Sequence, residues 1–159
     1  MKKINKVYLV IASIVLMFSI KSNAQIVKAE IRATGLTCSM CSNAINKQVT
    51  NVETDLNTNT FTVTLKEGNE LSLKTFKEKV EKAGFFIGSL VITAKAETIS
   101  KSPYILVNDK KGVTEVVQFK VVDKGYITEK EFKKLSKSYK EIATYVANSE
   151  DDFHIKILN

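Results

Sequence analysis

Cys38 and Cys41 are the only two cysteines of the sequence, and they sit three positions apart in Gly35-Leu36-Thr37-Cys38-Ser39-Met40-Cys41. Two thiols at this spacing, in a loop that leads into a helix, can converge on one ion. The positive potential of a helix N-terminus favours the thiolate form that binds metal. Beyond the first two dozen residues Met40 is the only Met and His154 the only His, too few ligands for a closed Cys₄ or Cys₂His₂ zinc site. Two thiolates alone suit a soft ion of low coordination, above all Cu(I), although Zn(II), Cd(II) and Hg(II) also accept them. The same spacing serves thiol–disulfide exchange or a structural disulfide, so both stay open. Met40 reads as an exposed spacer rather than a third ligand. His154 shares a strand face with Lys156, opposite Phe153, Ile155 and Ile157, and reads as a solvated histidine.

The elements that must hold this loop follow from periodicity. Val27, Ala29, Ile31 and Ala33 alternate with polar residues, which is strand spacing, and Gly35 breaks the strand. A helix over 39–51 comes next, with Ala44, Ile45 and Val49 on one face. Strands over 52–57 and 60–66 join through a tight turn at Thr58-Asn59. A helix over 72–83 places Leu73, Phe76, Val80 and Ala83 at helical spacing, with Gly84 where a left-handed cap belongs. A strand over 86–93 completes a β-α-β-β-α-β order, the split βαβ arrangement. Residues 95–103 read as a linker ending at the single proline. Beyond it come strands over 104–107 and 113–122, and one long helix with Phe132, Leu135, Tyr139, Ile142, Ala143 and Val146 on a face. Thr128 and Glu131 form a capping box, and a strand over 153–158 ends a smaller β-β-α-β unit.

The motif from Gly35 to Cys41 resembles the GMTCxxC signature of heavy-metal-associated (HMA) domains. These occur in copper metallochaperones, in the N-terminal tails of copper-transporting P-type ATPases and in periplasmic mercury-binding proteins. The resemblance covers roughly residues 27–93 and includes Ala83-Gly84-Phe85, where the family often has AGF or AGY. It implies an α+β fold, a ferredoxin-like βαββαβ domain, with Cys38 and Cys41 as metal ligands and another metal-transport protein as partner. Leu36 replaces the usual Met, a nearly volume-conserving exchange. Phe85 falls on the aromatic position that shields the metal loop in the family. Residues 95–159 match no family.

The chain has 159 residues and a formal charge of +7, and a pI near 9.3 would suit a nucleic-acid binder. Lys2, Lys3 and Lys6 precede an uncharged run of 14 residues, 7–20, and Ser22 and Ala24 then supply small side chains. That is the build of a secretory signal cleaved near Ala24. At about 1.5 Å per residue the run spans about 21 Å, short of the roughly 30 Å of a bilayer core, so no permanent membrane anchor is expected. Removing 24 of 159 residues leaves 135, and with them go four lysines and no acid, so +7 becomes +3. Glu78 and Glu81 interrupt the lysines of the helix over 72–83, as Glu129 and Glu141 do those of the long helix, which argues for solvated faces and against nucleic acid. Residues 123–132 mimic the second half of a calcium loop, but Lys120, Val122 and Lys124 then fall at its first, third and fifth ligand positions and exclude Ca²⁺. With no Ser–His–Asp set and no phosphate-cradling loop, an enzyme is not expected. The reading is a signal peptide over 1–24, an HMA domain over 25–94, a linker over 95–103 and a C-terminal α+β domain over 104–159. The exported, periplasmic protein would carry a soft metal ion, the alternatives being a redox protein or a partner-binding module.

Overall fold

The computed structural model describes residues 26–34, 48–100, 103–108, 115–149 and 151–158. Cys38, Met40, Cys41, the signal segment and most of the helix expected over 39–51 lie outside them. The described elements are β1 (Ile26–Thr34), β2 (Val49–Asp55), β3 (Thr60–Leu65), α1 (Leu73–Lys82), β4 (Phe86–Lys95), α2 (Ala96–Ile99), β5 (Tyr104–Leu106), β6 (Val116–Val121), α3 (Glu129–Ser138), α4 (Ala143–Ala147) and β7 (Phe153–Ile157). The fold is α+β. Its strands form one mixed seven-stranded sheet in the order β2-β3-β1-β4-β6-β7-β5, in place of a four-stranded sheet followed by a smaller unit.

β4 is the reason. It hydrogen-bonds antiparallel to β1, from Ile26↔Ala94 to Thr34↔Phe86, and on its other side to β6, from Leu90↔Val121 to Lys95↔Val116. Leu90, Ile92 and Ala94 are fully buried. They join Ile31 and Ala29 on one side to Val121, Phe119 and Val117 on the other in a single core under α1. The stretch expected as linker holds the end of β4 and the one-turn α2, whose Thr98 and Ile99 are buried.

Local chemistry sets the element ends. Ser72 caps α1 by accepting from the Thr75 N–H at 3.2 Å, and Gly84, at φ +83°, ends it as the sequence suggests. β2 starts at Val49, so the preceding helix cannot run to 51 as expected. The β2–β3 turn is also longer than a Thr58-Asn59 pair. Asp55 accepts from the Asn57 N–H (2.8 Å) and the Thr58 hydroxyl (2.8 Å), which organises a four-residue loop over 56–59. In β1 a bulge between Ile26 and Lys28 shifts the alternation, burying Ile26 and leaving Val27 exposed.

The long C-terminal helix is two helices. α3 closes at Tyr139, and α4 restarts after an extended Ile142, so Tyr145 points inward and Val146 outward. Val122, Ile127 and Tyr145 make a second small core with Phe132, Leu135, Tyr139 and Ile142 packed on it. This core covers the face of β6 and β7 opposite α1, where Lys120 meets Glu131 of α3 at 2.6 Å.

Candidate functional site

Cys38 and Cys41 are expected to carry the chemistry, and both lie outside the described residues, so only the ground around them can be drawn. The chain leaves β1 at Thr34, which is paired with Phe86 at the start of β4 and donates its hydroxyl to the Phe86 carbonyl at 3.2 Å. The described chain resumes at Gln48, whose carbonyl accepts from the Lys66 N–H at 2.9 Å. β1 and β2 are both antiparallel to β3, hence parallel to each other, so the chain leaves at one end of the sheet and returns at the other. Phe85 packs partly buried on the core, and Phe86, beside the root of the motif loop, is 70% exposed. Beneath this end, Ile31, Ala33, Phe61 and Val63 of the sheet and Val80 of α1 line a small apolar cavity. Gly88 lets β1 approach closely here, since a Cβ would stand 2.8 Å from the Thr34 methyl.

His154 is not solvated. It is fully buried, with Nδ1 2.7 Å from Asp123 Oδ1, its backbone N–H donating to Asp123 Oδ2 at 2.7 Å, and Nε2 2.9 Å from the Thr144 hydroxyl. The Tyr145 ring stands edge-on to it at 5.0 Å and donates its hydroxyl to the Val122 carbonyl at 2.8 Å. Strand alternation placed His154 opposite the core correctly, but α4 covers that second face, which one strand's pattern does not reveal. Burial pushes the Asp123 carboxyl up from its ordinary value, and the hydrogen bonds from His154 pull against that rise. Burial likewise raises the Tyr145 phenol, with the Asp123 charge adding to the effect.

Carboxylate, imidazole and hydroxyl thus line up as Asp123–His154–Thr144. The imidazole has no solvent-exposed surface, so it has no route to a substrate proton, and the chain of bonds ties β7 to the β6–α3 loop and to α4. Among the described residues no group of three or more His, Cys, Asp or Glu is arranged to hold a metal. No helix among them is long and apolar enough to cross a membrane. Two further polar residues escaped the sequence reading. Asn69 is buried and donates to the Ile26 and Lys66 carbonyls, both at 2.8 Å. Asn108 pairs with the backbone of Ile157 through both ends of its amide, extending the β7 ladder beyond β5. Turn-forming loops on either side were the only available signal. Compared with protein-family models, with curated proteins and with solved structures, the chain matches none.

Proposed function

We propose that the exported chain binds one soft metal ion, Cu(I), through the thiolates of Cys38 and Cys41 and passes it to another metal-transport protein. The observation that carries this reading is the Cys-Ser-Met-Cys spacing immediately after β1. A two-thiolate site at the end of a central strand can hold its ion in reach of a partner. A partner thiolate attacks the ion before the first sulfur leaves, so the cargo is never released to water. The strand order β2-β3-β1-β4, antiparallel throughout, supports a ferredoxin-like HMA arrangement for the first half of the sheet. The exposed Phe86, paired with Thr34 at the end of β1, supplies an apolar contact for an incoming partner.

Competition against a coloured Cu(I) chelator, without oxygen, tests this on the wild type and on Cys38→Ser/Cys41→Ser. The wild type should withdraw one equivalent of Cu(I) and the double variant none. Equal retention by both would overturn the assignment. Catalytic reduction of insulin disulfides without Cu(I) retention would transfer it to a thiol–disulfide exchange protein.

A further inference from the structure

The two edges of the seven-stranded sheet are built differently. β5, at one edge, has three residues, follows Pro103 directly and pairs parallel with β7. Short strands and prolines keep an edge from recruiting another chain. β2, at the other edge, has seven residues, Val49-Thr50-Asn51-Val52-Glu53-Thr54-Asp55, with no proline and no lysine. Its one register shift falls before Asn51, so Asn51 to Asp55 pair with β3 without interruption. Among the described residues no strand lies on its outer side. An apolar row crosses the sheet and stops there. It runs Ile157, Phe119, Ile92, Ala29, Val63, Val52, each opposite the next on neighbouring strands. All are buried except Val52, which is half-buried at the edge.

We propose that β2 pairs antiparallel with β2 of a second copy of this chain, joining two sheets into one. The strand is self-complementary in the register that uses its whole length. That register is centred on Val52, so Val52 meets the partner's Val52, Thr50 the partner's Thr54 and Asn51 the partner's Glu53. Directly opposed residues share a face, so the apolar row continues into the second sheet and Val52 is covered. No like charges stand opposite each other in it. A shift of two residues shortens the ladder, and one such shift sets Glu53 against the partner's Glu53. The two acids of the strand are already hydrogen-bonded along it: Glu53 accepts from the Asn51 amide at 2.9 Å, and Asp55 is engaged by Asn57 and Thr58 of its own turn. Arg32 and Asp55 both pair with Thr60, so β2 ends at the side of the sheet where β1 leads into the cysteine motif. Antiparallel pairing therefore puts the two motifs at opposite ends of the dimer, and the pairing needs no metal.

Sedimentation equilibrium of the full chain, with a chelator and a thiol reductant present, should show a monomer–dimer equilibrium. Asn51→Lys sets a lysine against the partner's Glu53 twice per dimer and should tighten it by about threefold to tenfold. Asn51→Lys/Glu53→Lys sets lysine against lysine and should weaken it by about tenfold. Both positions are exposed, and circular dichroism checks that the variants stay folded. A chain that stays monomeric up to about 1 mM would overturn the proposal. So would a dimer that Asn51→Lys does not tighten, or that the folded double variant does not weaken. A dimer lost in Cys38→Ser/Cys41→Ser would also overturn it, by placing the contact at the motif instead of β2. Should the double variant not fold, the response to Asn51→Lys decides alone.

Discussion

Asp123 accepts from two N–H groups of one residue, one on each oxygen, and this decides what its replacement does. In Asp123→Ala both acceptors are lost, and the buried backbone N–H of His154 is left without its partner. A buried donor left unsatisfied costs about 1–3 kcal/mol, so we expect a clear fall in the urea midpoint; an unchanged midpoint would contradict the pairing. At the surface, Asp55 shows the opposite balance. The Thr58 hydroxyl and then the Asn57 N–H hold its carboxyl below the ordinary 3.8. A carboxyl lowered in the folded state contributes stability that is present above its unfolded pKa and lost as pH falls through the folded value. NMR titration of Asp55 should therefore give a midpoint below 3.8, and Asp55→Asn should remove that part of the acid sensitivity.

Element boundaries depend on single residues whose backbone the structure fixes. Gly84 sits at φ +83° between α1 and β4, where an L side chain is strained although nothing crowds it. Gly84→Ala should cost about 1 kcal/mol, and Gly84→Asn less, by chemical denaturation; equal stability of all three would refute the left-handed cap. Thr128 accepts from the Glu131 N–H at 3.2 Å, so the Thr128 half of the capping box expected from the sequence is there. The Glu131 carboxylate meanwhile serves Lys120, a sheet residue that no local pattern names. The break between α3 and α4 was hidden for a similar reason. Residues 132–146 keep helical spacing on paper, but burying Tyr145 over Val122 stabilises the chain more than one continuous helix would allow, with Val146 turned to solvent.

At the scale of the molecule the continuous sheet predicts a single unfolding event. Phe119 is fully buried, lies in β6 between β4 and β7, and meets the edge of Tyr104 at 5.8 Å. Phe119→Ala should cost about 3–5 kcal/mol. It should lower the midpoint equally for amide probes in β1–β3 and in β7, whereas two separate midpoints would refute one cooperative unit. The sequence by itself determined the cysteine pair, the charge balance, and the elements whose side chains alternate against one partner, such as β3 with Phe61, Val63 and Leu65. Its local chemistry also marked the C-terminal end of α1 at Gly84, because caps are made by neighbours in the chain. Only the tertiary structure decided that β4 carries strands on both sides, that His154 is sealed beneath α4, and that Asn108 and Asn69 serve distant backbone. Those outcomes depend on which surface covers a given face, and that surface comes from residues tens of positions away, which periodicity along one segment cannot register.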